Sequence, residues 1–568
     1  MKTLFTLLAF LCLTSVYAQP QWNWAKYATS DYPFQYAPPA GYAVCVDAQH
    51  NVYVTGSYIG DLYTGTDTLR HPGAANNEVG MFIAKYDVNG NLQWLKQAPS
   101  NFSSQGTAIS VDDQGYIYVG GGFTDSIQFD SLRLYDTTGY GIFLAKYTPN
   151  GNAVWAKGIT GTGEDALGIT GTKPMVLDKQ GHIYITGNFG NNYLLTANTT
   201  VTVHFDNITL VSTDTCDIFV AKYDTSGHAI WAKSAGKVRE SSGFALAVDS
   251  LDNLFVTGYF STPAAYFDSL KVATHSGDGM YAMFVAKYDS SGKVLWVKEA
   301  DGDGETAGDG IVIDKAGNAI IFGSMGNDTT TFDNVHLILP PNGSLNCFLT
   351  KYSSSGNLMW AKNAGIDTVA ENYPGGIAID AHDYLFVTGL FDGTSYFNND
   401  TIASKGGEDI FVASYDDNGN PQWLTTAGGP QDDESYCITI DPSGPIYVAG
   451  YFSDSCTFSN IALSGKTQNM FVAKLTPFAD AVQQVNHTRS NISIYPNPAA
   501  NSVTIDFGTA AFANLKVLDY TGRNILNQSV TGKQKIILNT GIIASGLYFI
   551  IAESNNGEVV SKKIVVQH

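Results

Sequence analysis

The segments Ile183-Tyr-Ile-Thr-Gly187, Ile218-Phe-Val-Ala-Lys-Tyr-Asp224 and Trp231-Ala-Lys233 decide the fold of this chain. Each is short, rich in β-branched and aromatic residues and bounded by turn residues, which is typical of strands joined by tight turns. An apolar strand that ends at Asp178 precedes them. The same four-strand cassette returns about every 60 to 75 residues, so the sequence is a tandem repeat.

Three series of residues mark the repeat, and each series has seven members. The first strand of the cassette ends at Asp47, Asp112, Asp178, Asp249, Asp314, Asp380 and Asp441. The second strand contains Gly56, Gly121, Gly187, Gly258, Gly323, Gly389 and Gly450, and the third contains Phe82, Phe143, Phe219, Phe284, Phe348, Phe411 and Phe471. The fourth strand carries Trp94, Trp155, Trp231, Trp296, Trp360 and Trp423, so the seventh copy lacks one.

The missing fourth strand is at the other end of the chain, where Trp24-Ala25-Lys26 has the signature without three strands before it. A closed ring requires such a split, because the N-terminal segment then completes the last sheet and leaves no loose seam. An open solenoid does not need the split, and a parallel β-helix has much shorter coils. The sequence therefore predicts an all-β protein: a seven-bladed β-propeller in which the N-terminal strand completes the last blade, followed by a small β-sandwich.

The repeat resembles the SBBP family of β-propeller repeats, whose units carry the same Val-Asp, Tyr-Val-Thr-Gly and Phe-Val-Ala-Lys-Tyr segments. The resemblance covers about Gln21 to Phe478 and implies an architecture rather than one activity. We expect the repeated Phe and Trp side chains to form the core between adjacent blades, because a single blade cannot bury both of its faces.

The N-terminus has the pattern of a secretory signal peptide, with Lys2, an apolar run from Leu4 to Leu13 and small residues up to Ala18. A buried N-terminal strand is the alternative. No later stretch is apolar enough to predict a transmembrane segment. The formal net charge of −21 argues against nucleic acid as a partner, since phosphate binding needs clustered Lys and Arg.

Loss of the signal peptide would remove Cys12 and leave an odd number of cysteines without metal-ligand spacing. Cys45 and Cys437 occupy corresponding strands of the first and last repeats, which a closed ring makes neighbours. A Cys45–Cys437 disulfide and two buried free thiols both fit this position, and we favour the thiols.

The chain beyond the repeat has a different pattern, with alternating segments that predict the small β-sandwich. Four of its motifs are Tyr495-Pro-Asn-Pro498, Leu518-Asp-Tyr-Thr-Gly-Arg523, Ser545-Gly-Leu-Tyr548 and Lys562-Lys-Ile-Val-Val566. Together they resemble the type A C-terminal sorting domain of the type IX secretion system. A permanent structural or carbohydrate-binding sandwich is the alternative.

This second resemblance implies a Bacteroidota-type cell, the type IX secretion machinery as a partner, and removal of the sorting domain after export. The protein would then be secreted, and either extracellular or attached to the outer-membrane surface. We therefore predict a signal peptide (1–18), a propeller (19–478), a linker (479–490) and a sorting domain (491–568).

The loops that join each Trp strand to the next cassette are acidic, and in a propeller such loops converge near the axis. The predicted binding residues are Glu164, Asp165, Glu240, Glu305, Asp309, Glu371, Asp433 and Glu434. Oxygen ligands of this kind suit Ca²⁺, and Asp301, Asp303 and Glu305 form the best local cluster for it. Thr306 stands where a helical-hand calcium loop needs glycine, and solvated loops whose acids cap turns are the alternative.

A recurrent Asp-Ser or Asp-Thr pair before an apolar residue is similar to the O-glycosylation pattern of exported Bacteroidota proteins. The acceptors in these pairs would be Thr68, Ser126, Ser131, Ser269 and Thr401. The alternative is that Asp-Ser starts a turn.

Two function classes fit the sequence. The first is a binding or surface-scaffold module that recognises a glycan or a protein through loops on one propeller face. The second is a polysaccharide-active hydrolase or lyase that uses two axial carboxylates as acid and base. We favour the binding module, because the repeats are uniform and no nucleophile, zinc or phosphate-loop motif is present.

Overall fold

The computed structural model describes residues 20–568 except 31–38, 71–77, 137–139, 162–163, 168–172, 191–199, 213–215, 237–239, 262, 275–279, 303, 327–328, 340–344, 365–371, 398–399, 478–491, 509–510, 520–522 and 555–558. The predicted signal peptide and linker lie outside these residues. The described chain is all-β, and no helix in it is long and apolar enough to cross a membrane. It divides into two compact units, Trp22–Leu475 and the part after Leu475.

The cassettes of the first unit form antiparallel four-stranded sheets in which the second strand lies between the first and the third. Over the described residues there are seven such sheets. Sheet 1 contains β2 (Ala40–Val46), β3 (Val52–Ile59), β6 (Val79–Tyr86) and β7 (Leu92–Ala98). Sheet 2 contains β8 (Ser104–Val111), β9 (Ile117–Phe123), β12 (Gly141–Tyr147) and β13 (Ala153–Gly161). Sheet 3 contains β14 (Glu164–Leu167) with β15 (Met175–Leu177), β16 (Ile183–Gly190), β19 (Cys216–Tyr223) and β20 (Ala229–Gly236). Sheet 4 contains β21 (Ser241–Val248), β22 (Leu254–Ser261), β25 (Tyr281–Tyr288) and β26 (Val294–Gly302). Sheet 5 contains β27 (Thr306–Ile313), β28 (Ala319–Gly326), β31 (Leu345–Tyr352) and β32 (Leu358–Asn363). Sheet 6 contains β33 (Asn372–Ile379), β34 (Leu385–Phe391), β37 (Asp409–Tyr415) and β38 (Pro421–Ala427). Sheet 7 contains β39 (Asp433–Ile440), β40 (Ile446–Phe458), β41 (Ile461–Thr476) and β1 (Gln21–Ser30).

The glycine of each second strand is explained by the strands on both sides of it. A Cβ on Gly323 would lie 2.2 Å from the carbonyl oxygen of Ala307 and 2.4 Å from the ring of Phe348. The corresponding glycines of sheets 1, 2 and 6 meet the same pair, a first-strand carbonyl and the third-strand Phe ring. Only glycine fits where the backbone of one strand approaches another this closely.

The variable stretch between the second and third strands forms a short hairpin that binds the preceding sheet. The hairpins are β4 (Leu62–Tyr63) with β5 (Thr68–Leu69), β10 (Ser126–Phe129) with β11 (Leu132–Tyr135), β17 (Val201–Phe205) with β18 (Ile208–Ser212), β23 (Ala264–Phe267) with β24 (Leu270–Ala273), β29 (Thr329–Phe332) with β30 (Val335–Ile338) and β35 (Thr394–Phe397) with β36 (Asp400–Ala403). In sheet 7 the hairpin is continuous with β40 and β41. β17 pairs with β13, β23 with β20 and β29 with β26, so these three outer strands gain a further partner from the next cassette, whereas β10–β11 and β35–β36 form separate two-stranded sheets.

The N-terminal strand β1 lies beside β41 in sheet 7 and also pairs with β4 of sheet 1, Thr29 opposite Tyr63. The Trp24 indole covers Gly90 in the turn between β6 and β7, and its Nε1 donates a hydrogen bond to the Val88 carbonyl at 3.1 Å. Trp94, Trp231 and the other fourth-strand tryptophans up to Trp360 cover a turn glycine of the next sheet in the same way. Sheets 7 and 1 are therefore joined by the same contacts as sheets that follow each other in the chain.

The first strands of the sheets contact one another in chain order, and β39 of sheet 7 contacts β2 of sheet 1. They line a cavity of about 250 Å³, to which six of the seven sheets contribute. Cys45 and Cys437 lie on its wall as free thiols, and burial raises the pKa of both. A carboxylate of Asp441 contacts Nδ1 of His50 at 2.9 Å and links the same two sheets.

The second unit consists of two antiparallel sheets around one core. The first contains β42 (Ser493–Tyr495), β43 (Ser502–Asp506) and β46 (Lys535–Asn539); the second contains β44 (Asn514–Asp519), β45 (Asn524–Ser529), β47 (Gly546–Glu553) and β48 (Val559–Val566). Alternate residues such as Val503, Ile505, Ile550 and Ile564 are buried in this core. The apolar residues that alternate along the sequence therefore face the core between the two sheets, as expected for strands with one buried face.

Candidate functional site

A β-bulge interrupts the first strand of the repeat at a constant place, five residues before the strand-ending Asp. The pairing with the second strand shifts around this residue in the six sheets whose first strand is continuous. The residues at the bulge differ in type: Tyr42, Thr107, Phe244, Asp309, Gly375 and Tyr436, with Lys173 at the same spacing in sheet 3. A bulge re-aims its side chain, so one backbone feature presents a different chemical group in each sheet.

Three tyrosines and a glutamate come together where sheet 7 meets sheet 1. The ring centroids of Tyr42 and Tyr436 are 5.5 Å apart, and those of Tyr436 and Tyr451 are 5.9 Å apart. The Tyr451 hydroxyl donates a hydrogen bond to Oε1 of Glu434 at 2.5 Å. Tyr42, Tyr436 and Glu434 are half-buried, so the group keeps exposed surface. We call Tyr42, Tyr436, Tyr451, Glu434 and Glu408 the seam cluster.

Glu408, directly before β37, gives the seam cluster a second carboxyl. Its burial, together with the negative charge of Glu434, raises the pKa of Glu408 to about 8. Burial and the Glu434 carboxylate also raise the pKa values of Tyr436 and Tyr451. Two close carboxyls can share a proton near neutral pH, so one can donate a hydrogen bond while the other accepts one.

A second aromatic group surrounds Glu240, ahead of β21. The hydroxyls of Tyr259 and Tyr281 donate hydrogen bonds to its two carboxylate oxygens at 3.1 and 2.9 Å. The Phe244 ring lies 5.2 Å from that of Tyr259. Burial and the Glu240 carboxylate raise the pKa of Tyr281 to about 12, and Glu305 adds to this effect. Glu240 is thus held by two tyrosines and is not a solvated loop acid.

Asp309 and Lys173 occupy bulge positions and carry opposite charges. Asp309 accepts a hydrogen bond from Ser324 at 3.0 Å, and burial raises its pKa to about 7. Lys173 lines the cavity near Cys45.

The other predicted residues are distributed as follows. Glu371 and Asp303 lie outside the described residues, and for Glu164 and Asp165 only the backbone, in β14, is described. Asp433 and Asp301 are buried, and Glu305 is exposed. Across the described ranges no three His, Cys, Asp or Glu side chains stand close enough to hold a metal ion. The calcium site at Asp301, Asp303 and Glu305 remains a prediction.

The predicted acceptor residues for O-glycosylation lie in different environments. Thr68, Ser131, Ser269 and Thr401 are exposed, whereas Ser126 is 1% exposed. Asp130 and Asp268 have φ of 51° at the tips of the β10–β11 and β23–β24 hairpins. Two other hairpins have Asp206 and Asp333 at the corresponding turn position, each followed by Asn instead of Ser or Thr. The positive φ that this turn requires therefore explains the recurrent Asp without glycosylation of the next residue.

The sequence prediction missed Tyr42, Tyr436, Tyr451 and Glu408. The predicted site residues are acids of the loops between cassettes, whereas Tyr42, Tyr436 and Tyr451 lie within strands and Glu408 directly precedes one. One feature of the sequence points to Tyr42 and Tyr436. The position five residues before each strand-ending Asp varies from Tyr to Gly, whereas the rest of the strand is similar in all repeats.

Comparisons with known proteins identify the C-terminal unit. Residues 493–567 match the secretion system C-terminal sorting domain. An endo-acting ulvan lyase of Formosa agariphila is 30% identical over 78 residues, which are 14% of this chain and 15% of that enzyme. The chain is thus exported by type IX secretion to the cell surface or the extracellular space.

The repeat region has more distant relatives. A WD repeat-containing protein of Acanthamoeba polyphaga mimivirus is 22% identical over 78% of this chain and 38% of its own length. The chain therefore spans well under half of the curated relatives it matches. The solved structure of puromycin hydrolase is 10% identical over 86% of this chain and 62% of that chain, with a TM-score of 0.38. A likeness this weak carries no argument about fold or activity.

Proposed function

We propose that this exported chain is a glycan-binding protein, built as a closed seven-bladed β-propeller with a transport domain behind it. In this proposal the seven sheets are the blades, of SBBP type, and β1 closes the ring. The signal peptide comprises residues 1–18, the propeller 19–478, the linker 479–490 and the sorting domain 491–568. The contacts of β2 with β39, of Trp24 with Gly90 and of β1 with β4 support closure.

The seam cluster is the observation that carries the binding proposal. The half-buried rings of Tyr42 and Tyr436 offer flat apolar surface with a polar edge, which suits the faces and hydroxyls of a sugar ring. Glu434 and Glu408 offer acceptors and, when one is protonated, a donor for sugar hydroxyls. Only a few polar groups among aromatic side chains are needed to fix the orientation of a ligand.

The negative charge of the chain favours neutral glycans over anionic ones. The seam cluster contains two carboxyls, exposed Asp392 and Asp432 contribute further negative charge to it, and the chain carries −21 overall. Uronic-acid or sulfated polymers would be repelled by this surface. We therefore propose a neutral glycan as the ligand.

Calorimetric titration of the full chain with neutral hexasaccharides of glucose and xylose tests the proposal, with an alginate hexamer as the anionic control. At least one neutral probe is expected to bind, and Tyr436→Ala should weaken it at least about tenfold, because a stacked ring is lost. Tyr135→Ala is the matched control, since Tyr135 is a 63% exposed tyrosine in β11, away from the bulges. Equal loss in both variants, or binding of alginate alone, would refute the proposal.

Glu408 and Glu434 also support a second candidate, a polysaccharide hydrolase or lyase. Neighbouring carboxyls whose pKa values are pushed apart can act as general acid and general base. Release of reducing ends from the neutral probes would favour a hydrolase, and release of unsaturated ends from the alginate hexamer would favour a lyase, because elimination needs a uronic acid; Glu408→Gln should abolish either activity. Binding without turnover would favour the binding protein.

A further inference from the structure

The junction of sheets 6 and 7 departs from the repeat in its buried interior. Asp409 begins β37 and Asp433 begins β39, and they are 1% and 0% exposed. The pairs at the same positions between other sheets include Gly80 with Ser104 and Ala282 with Thr306. Both members carry a carboxyl group only at the junction of sheets 6 and 7.

A hydroxyl satisfies the hydrogen bonds of this position between sheets 1 and 2 and between sheets 4 and 5, whereas Asp217 with Ser241 and Asn346 with Asn372 occupy it at two further junctions. Oγ of Ser104 accepts a hydrogen bond from the Met81 amide at 3.1 Å. Oγ1 of Thr306 accepts one from Met283 at 3.1 Å and donates one to the Ala300 carbonyl at 3.0 Å. The fold therefore does not require charged groups here, and a buried carboxyl pair needs another explanation.

The backbone binds one oxygen of each carboxyl, and the Gly429 amide lies close to both carboxyl groups. Oδ2 of Asp409 accepts a hydrogen bond from the Lys405 amide at 2.9 Å, and Oδ1 of Asp433 accepts one from Ser453 at 3.2 Å. Oδ1 of Asp409 and Oδ2 of Asp433 are buried and have no hydrogen-bond partner. Buried polar atoms are rarely left unpaired, so these two oxygens indicate a missing ligand.

Two glycines open the space that the carboxyls occupy. A Cβ on Gly428 would lie 2.0 Å from Oδ1 of Asp409. A Cβ on Gly429 would lie 1.8 Å from the Ser455 carbonyl oxygen and 3.4 Å from Oδ2 of Asp433. Oδ2 of Asp433 and the carbonyl oxygen of Ser455 therefore both lie close to Gly429.

We propose that Asp409 and Asp433 bind a Ca²⁺ ion between sheets 6 and 7. The Lys405 ammonium, which donates a hydrogen bond to the Gly428 carbonyl at 3.3 Å, offsets part of the charge of Asp409, and a divalent cation would neutralise the rest of the buried pair. Ca²⁺ accepts carboxylate, carbonyl and water oxygens at high coordination number, so two side chains suffice when backbone carbonyls and water complete the site. The competing state is a shared proton, which agrees with the pKa of Asp433 raised by burial to about 8.

Thermal unfolding and calorimetric titration of the full chain, first stripped with a chelator, distinguish the two states. Addition of about 1 mM Ca²⁺ should raise the unfolding midpoint by on the order of 3 °C. Asp409→Asn and Asp433→Asn should each abolish the shift while folding at least as well as the stripped protein, because each removes a buried charge. Either variant alone carries the test if the other does not fold.

Two controls separate this site from other acidic groups. Asp432→Asn changes an exposed neighbour, and Asp301→Asn changes the cluster predicted from sequence; both should keep the calcium shift. Absence of calcium binding in the unmodified chain would assign a shared proton to the pair and overturn the proposal. A shift that persists in both Asn variants but disappears in Asp301→Asn would overturn it as well.

Discussion

Replacement of Trp22 by alanine is expected to destabilise the repeat unit by about 3 to 5 kcal/mol, the usual cost of removing a buried tryptophan. Trp22 in β1 is 3% exposed and packs edge-on against Phe458 of β40 at 4.9 Å. Its side chain belongs to the core that β40, β41 and β38 form. Loss of the indole should therefore release β1 from sheet 7 and open the seam.

Trp22→Phe is the matched control for this prediction. The Trp22 Nε1 is buried without a hydrogen-bond partner, so a phenyl ring keeps the apolar contact and removes the unsatisfied donor. Urea unfolding followed by circular dichroism should show a large decrease in midpoint for alanine and a small change for phenylalanine. Equal midpoints for Trp22→Ala and the unmodified chain would mean that β1 does not hold sheet 7.

Replacement of Gly323 by alanine is expected to cost about 3 kcal/mol or more, at the upper end for overpacking. The obstacle is a backbone carbonyl, that of Ala307, at 2.2 Å from the new Cβ, and a carbonyl within a sheet cannot rotate away. Displacement of Ala307 should also disturb the pairing of β27 with β28 and the bulge at Asp309, which follows Ala307 by two residues.

Gly158→Ala in β13 controls for the loss of glycine itself. A Cβ at this position would meet Thr160 at 3.8 Å and Leu134 at 3.9 Å, which are ordinary contacts. Its free energy of unfolding should change by less than about 1 kcal/mol. If both glycine variants lose stability equally in urea unfolding, the close approach of β27 and β28 does not explain the repeated glycine.

The strands of the cassette were predictable because their local pattern and their burial agree. Both faces of β3 and β6 are buried: Val54, Phe82 and Ala84 pack with sheet 7, and the residues between them pack with sheet 2. The split signature at Trp24 indicated where β1 pairs. In the turn between β6 and β7, Oδ1 of Asp87 accepts hydrogen bonds from the Asn89 and Asn91 amides.

The seam cluster was harder to predict from sequence for two physical reasons. A bulge breaks the two-residue period, so the alternation of β2 or β39 does not tell which way Tyr42 or Tyr436 points. The partners also come from opposite ends of the repeat region and meet only when the first and seventh sheets are neighbours. The buried Asp409–Asp433 pair was missed on similar grounds, because Asp433 reads as one more loop acid until its neighbour is known.

Hydrogen exchange in the full chain tests most directly whether β1 completes sheet 7 and thereby brings Tyr42 to Tyr436. We expect the amides of Gln21–Ser30 that bond to β41 to exchange as slowly as those of β41, and Trp22→Ala to expose both segments together. Rapid exchange throughout Gln21–Ser30 beside a protected β41 would contradict this expectation, because the seventh sheet would then stand without its N-terminal strand.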